Sequence, residues 1–144
     1  MDVLFKYFSG SLEEFLTQAR CPGDNHLIKL RLAPSALPEY SGYWHVLDNF
    51  AVNHIMHRHS GKRERLRGQE PVTLTDFHQI NGIVLNADSV EPVRCKNGNS
   101  GYLYTKDIND TTYTLIEEVR SGHSELAVTT LYKRKKKLTD AKSP

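Results

Sequence analysis

The 144-residue sequence predicts an α+β fold, with N-terminal helices packed on a C-terminal four-stranded antiparallel sheet. Two observations carry this expectation. Before Asp88, apolar residues recur at helical spacing in three stretches; from Asp88 onward the period changes to two. The alternating segments 89–96, 102–107, 111–120 and 125–135 are joined by Asn97-Gly98-Asn99-Ser100-Gly101, Ile108-Asn109-Asp110 and Ser121-Gly122-His123-Ser124. Such short, turn-forming connections link antiparallel neighbours, because a parallel pair needs a crossover of about a dozen residues or more.

Residues 10–20 read as a short amphipathic helix capped by Ser11, with Leu12, Phe15, Leu16 and Ala19 as its apolar stripe. Cys21-Pro22-Gly23-Asp24-Asn25 breaks it, and His26–Leu32 reads as a strand before a Pro- and Gly-rich loop from Pro34 to Gly42. Residues 45–59 read as a helix burying Val46, Leu47, Phe50, Ala51 and Ile55, ended by Ser60-Gly61. Thr73 or Thr75 caps a further helix with Phe77, Ile80, Val84 and Leu85 inward, which Asn81-Gly82 kinks or ends early. In the last strand, strict alternation puts Val128, Thr130 and Tyr132 on one face and Thr129, Leu131 and Lys133 on the other. Glu117-Glu118 interrupts an apolar run in the preceding strand. Alternation turns one carboxylate away from water, where it is either functional, with Glu117 the candidate, or part of a cross-strand ion pair.

Hydrophobic residues at 38% and charged residues at 25% describe one ordinary, rather polar domain over 1–144. Residues 1–25 form a helical extension, 26–135 the core and 136–144 a basic, flexible tail. No apolar run approaches the length of a membrane span, and Met1-Asp2-Val3 lacks the basic start of a signal peptide. Cys21 and Cys95 have no metal-ligand spacing and suggest no disulfide framework, so a reducing compartment is expected. The net charge of +2 hides an asymmetry: without the run Lys133-Arg134-Lys135-Lys136-Lys137, 14 basic residues face 17 acidic ones. A second basic stretch runs from Lys62 to Arg67. Converging in space, the two would attract a polyanion; separately, each is a solvated charge run.

The chemistry concentrates in Asn53-His54-Ile55-Met56-His57-Arg58-His59. On a helix, His54 shares a face with Arg58 and neighbours His57. Imidazole moves protons near neutral pH and guanidinium forks a phosphate, so the cluster suits proton transfer beside a phosphate. RNA cleavage without a metal needs a base for the 2′-hydroxyl, an acid for the 5′-oxygen and a cation for the developing charge. Thr130 and Tyr132 would add donors to phosphate oxygens, although singly both are ordinary strand residues. Metal catalysis is the weaker reading: the pairs His54/His57 and His57/His59 do not form an HExxH arrangement, and no glutamate follows His54. No metal or other cofactor is expected.

The order His54-Ile55-x-x-Arg58-His59, Thr73-x-x-Asp76 with Ile80, Asn86-x-Asp88, Glu117-Glu118-Val119 and Thr129-Thr130-Leu131-Tyr132-Lys133 resembles the phage-type nucleases of the barnase–EndoU–colicin–RelE superfamily. The likeness covers roughly residues 45–135 and does not extend to 1–25. It implies metal-independent endoribonuclease activity, often on tRNA, giving 2′,3′-cyclic phosphate ends. It also implies a toxin domain at the C-terminus of a longer effector, as in contact-dependent growth inhibition, acting in the cytoplasm of a target bacterium and silenced by a cognate immunity protein. Carried over by residue, it points to His54, Arg58 and His59 with Thr130 and Tyr132 as catalytic. Glu117 joins them, and His57, Lys62, Arg63, Arg65, Lys133 and Lys135 serve as substrate-binding candidates. Ser60 departs from the glycine that the family places after the Arg-His pair, and His57 has no assigned counterpart. The alternative is a catalytically silent domain of a phage-derived protein that binds nucleic acid or protein. Such a module needs the lysines and arginines but can lose His54 and His59.

Overall fold

A computed structural model describes residues 5–21 and 26–136. The elements in chain order are β1 (Phe5–Tyr7), α1 (Leu12–Ala19), β2 (Leu27–Pro34), β3 (Trp44–Asp48), α2 (Asn49–His59), α3 (Arg63–Leu66) and α4 (Ile80–Leu85). They are followed by β4 (Ser89–Arg94), β5 (Ser100–Ile108), β6 (Thr111–Arg120) and β7 (Glu125–Lys135). Short 3-10 turns lie at Pro38–Tyr40, Leu74–Gln79 and Ser121–His123.

The fold is α+β, but the expected four-stranded antiparallel sheet is corrected to a seven-stranded mixed one, ordered β1-β2-β3-β7-β6-β5-β4. The meander β4 to β7 is antiparallel throughout, as its turns require. The first three strands then extend it: β1 runs parallel to β2, β2 antiparallel to β3, and β3 parallel to β7. Everything from α2 to β6 is the crossover that this last parallel pair demands.

The correction comes from Trp44-His45-Val46-Leu47. A helical reading of 45–59 absorbs all but the first of these residues, yet they form β3, hydrogen-bonded to strands on both sides and buried from His45 on. Asp48 marks the change, its carboxylate accepting from the Ala51 N–H at 2.7 Å to cap α2. Starting the helix at Asn49 also rotates its stripe: Ala51, Val52 and Ile55 are buried, while Phe50 is 51% exposed. At α1 the expected Ser11 cap is present, reciprocated by Glu14. The segment after Thr73 begins as a 3-10 turn and continues through Gly82 to Leu85.

Helices α1, α2 and α4 pack on one face. Phe15, Leu16, Ile55, Phe77, Ile80 and Ile83 meet Leu30, Leu47, Tyr104, Leu115, Val128 and Leu131 of the sheet in a single core. Glu117 and Val128 pair, but Ile116 pairs with Thr130, so Thr129 is an extra residue in β7. This bulge overturns the strict alternation expected there: Val128 and Leu131 both face the helices, whereas Thr130 and Tyr132 face the other way. Residues 137–144, including Lys137 and the expected tail, lie outside the described residues, as do 1–4 and 22–25.

Candidate nucleic-acid cleavage site

α2 runs from β3 along the free edge of β7 and ends where β7 no longer has β3 beside it. His54, His57 and Arg58 stand exposed on its outer surface. His59, roughly 140° round the helix from His54 by ideal helical geometry, turns inward, and its ring rests on that of Tyr132 with centroids 5.6 Å apart. The structure thus brings one member of the helical cluster, His59, to Tyr132, which lies with Thr130 on the helix-free side of the sheet. Ser60, where the resemblance leads one to expect glycine, returns its hydroxyl to the Met56 carbonyl and ends the helix without a left-handed residue.

His59 is oriented from behind. Its Nδ1 donates to the Glu64 carboxylate at 3.0 Å, leaving Nε2 as the nitrogen available to a substrate. Glu64 is 1% exposed and also receives Arg67 at 3.3 Å. Among Lys62 to Arg67 it reads as one acid in a basic run, so nothing in the sequence marks it. His54 sits in positive surroundings: partial desolvation first, then the charges of Arg58, His59, Lys96 and His57, hold its pKa below the ordinary imidazole value. Lys96 belongs to the β4–β5 turn and was likewise invisible in the sequence. The Asn97 and Asn99 side chains fix that turn to Glu118, which Arg120 joins to Asp48 at the start of α2.

Other candidates are placed elsewhere. Glu117 is fully buried on the helix side, where it receives Tyr104 at 2.6 Å and His45 Nδ1 at 2.8 Å. The Ala36 N–H donates to His45 Nε2, so the His45 proton sits on Nδ1, toward the carboxylate. Burial raises the Glu117 pKa, against the opposing pull of His45 and Tyr104, and raises that of Tyr104. Neither Glu117 nor Glu118 touches the basic helix. Lys133 points into the helix side and binds Asp76 at 2.9 Å, which also accepts from Tyr113 at 2.6 Å and the Thr73 N–H at 2.8 Å. The Thr73-x-x-Asp76 motif is therefore an internal fastening. Asn86-x-Asp88 is another: Lys106 reaches the Asn86 carbonyl, and Asp88 accepts from the Asp107 N–H. Lys62, Arg63 and Lys135 are exposed; Arg65 leans toward Glu70 at 3.6 Å.

Among the described residues, no three His, Cys, Asp or Glu side chains gather as a metal-binding group, and no helix is long and apolar enough to cross a membrane. A cavity of about 160 Å³ lined by Leu12, Leu30, Leu32, Phe77, His78 and Asn81 lies away from the cluster. No curated protein and no solved structure matches the chain. A family model does, over residues 30–141, and its description names a nuclease. That match spans most of the chain and contains the whole of α2 and β7, and the chain belongs to the phage-Barnase-EndoU-ColicinE5/D-RelE like nuclease3 family.

Proposed function

We propose that this nuclease is an endoribonuclease that cleaves RNA through the 2′-hydroxyl without a metal, at the junction of α2 and β7. The observation that carries this reading is the seating of the His59 ring on that of Tyr132, at the end of a helix on which His54 and Arg58 are exposed. His54, its pKa held below the ordinary imidazole value by partial desolvation and then by its cationic neighbours, takes the proton of the 2′-hydroxyl as that oxygen attacks phosphorus. The bond to the 5′-oxygen breaks, and His59, aimed by Glu64, gives that oxygen its proton. The product is a 2′,3′-cyclic phosphate and a free 5′-hydroxyl. Arg58 forks the phosphate, and Thr130 and Tyr132 donate to its oxygens as charge builds. Exposed His57, Lys62, Arg63, Arg65 and Lys135 hold the flanking backbone. Lys133 and Glu117, occupied internally, serve the fold.

A role as a toxin domain acting in the cytoplasm of a target bacterium, with tRNA as its substrate, is part of the same proposal. It requires an inhibitor protein, acidic where it covers α2 and α3, since electrostatic complementarity sets the sign of that surface. Incubating the pure chain with total RNA in EDTA, and mapping the product ends, tests the central claim. Cyclic phosphate ends support it. Cleavage that is lost in EDTA and restored by zinc would replace it with metal-dependent hydrolysis, and binding without cleavage would favour the silent module.

A further inference from the structure

Beyond the cluster, the helix-free face carries a second feature. Residues paired across a sheet share a face, so Arg31, paired with Val46, and Val46, paired with Ala127, lie on the same side as Glu118, Ile116 and hence Thr130. On this side β1, β2 and β3 carry the rings of Phe5, Tyr7 and Trp44, the last joined to the others through Arg31. The Arg31 guanidinium lies 4.2 Å from the Tyr7 ring centroid and 5.1 Å from that of Trp44. Phe5 meets Tyr7 edge-on at 5.5 Å and His123 at 5.4 Å. Phe5 and Tyr7 are 36% and 38% exposed, and Arg31 is exposed with no ion pair among the described residues.

The layer beneath fixes the positions of Phe5 and Tyr7. Lys29 and Glu125 form a buried ion pair at 2.7 Å; Phe5 covers the Lys29 ammonium at 4.0 Å, and the Tyr7 hydroxyl donates to Glu125. The Arg31 guanidinium is therefore the positive group left facing solvent in this layer. Rings and a guanidinium presented together form a surface on which unpaired bases stack, and the cation complements the adjoining phosphates. Arg31 lies two strands and about three residues from Thr130, roughly 14 Å by strand spacing and rise, a reach of a few nucleotides. Phe5 and Tyr7 also lie outside the stretch matched by the nuclease family.

We propose that this surface is a stacking subsite for unpaired bases of the RNA, a few nucleotides from the scissile phosphate, and that it makes the enzyme prefer single-stranded over duplex substrate. The proposal rests on the ribonuclease reading above. Trp44 is the chain's single tryptophan, so its emission reports from within the subsite.

The test titrates the full chain carrying His54→Ala, to prevent cleavage, with single-stranded oligouridylate. Saturable quenching of Trp44 is expected, with duplex RNA giving none. Arg31→Gln should weaken the quenching titration roughly tenfold, the scale of one stacked base. Arg31→Lys should weaken it similarly, because an ammonium keeps the charge but does not stack. With His54 restored, Arg31→Gln should lower the preference for a long single strand over a dinucleotide, as a kcat/KM ratio, by the same factor. An unaltered melting temperature for Arg31→Gln would tie these losses to binding. Quenching absent while the parent cleaves RNA would overturn the subsite alone, as would full affinity in Arg31→Lys or quenching only by an inhibitor protein. Quenching by oligouridylate without RNA cleavage by the parent would instead overturn the ribonuclease reading.

Discussion

The link between Glu64 and His59 gives the sharpest test of how the site works. Glu64→Gln keeps the shape of the side chain but removes the charge that holds Nδ1 at 3.0 Å. A hydrogen bond to a charged group contributes about 1.5–3 kcal/mol. Felt wholly in the transition state, that is roughly a 10- to 150-fold loss of kcat. The fold should tolerate the change. His59 and Arg67 keep 13% and 49% side-chain exposure and can turn to water, so no charge is stranded; relieving the buried carboxylate's own desolvation then leaves stability within about 1 kcal/mol. The assay is kcat on saturating RNA for Glu64→Gln, His59→Ala and the double variant. If Glu64 acts only through His59, the double variant is no slower than His59→Ala, and the coupling equals the whole Glu64 effect. Losses that multiply, in a protein whose melting temperature is unchanged, would refute the positioning role.

His54→Ala should lower kcat roughly a hundredfold or more, as for a general base, with RNA affinity nearly retained in filter binding. The acidic limb of the pH–rate profile should fall below the ordinary imidazole value because His54 is depressed. Arg58→Gln removes one cation that disfavours the protonated ring, so that limb should move upward in pH; a limb that stays put would exclude His54. Asp76→Asn should cost stability rather than turnover, about 1.5–3 kcal/mol at neutral pH for a charge-assisted bond. The Tyr113, Thr73 and Lys133 bonds outweigh burial and hold the Asp76 pKa below 3.8. Its stabilisation is thus present above the unfolded value and is lost as pH falls through the folded one, so parent and variant should converge in acid denaturation. Neutralising exposed Lys62 and Arg63 together should reduce the slope of log K against log salt by roughly 1.4–1.8, from 0.7–0.9 per phosphate. Lys133→Gln should leave that slope alone and lower the melting temperature, since its charge is spent on Asp76.

The meander was legible because period-two segments and short polar turns are local signals, and its four strands lie where alternation places them. β3 was not, since Trp44 to Leu47 fits a buried strand or a helix turn equally well, and only pairing with distant β2 and β7 decides between them. The Thr129 bulge is a register effect set by β6, so alternation within β7 alone assigns Val128 to the wrong side. The helical histidines stood out by composition, whereas Glu64 acquires its meaning only when the chain after α2 folds back on His59. Glu117 drew attention as a carboxylate in an apolar run. Its actual partners, His45 and Tyr104, come from strands that no local pattern links to it.

The parallel pairing of β3 with β7 has a consequence for the birth of the enzyme. The two halves of the proposed site, α2 and β7, sit on opposite sides of a crossover that includes the whole of β4, β5 and β6. Contacts so remote in sequence form late, because loop closure must precede any gain from them. A ribosome that has released α2 but not β7 carries the histidines without the hydroxyl-bearing strand on which His59 rests. On the proposed site, a nascent chain at that stage lacks the strand half of the cutting edge while it is beside the RNA that is making it.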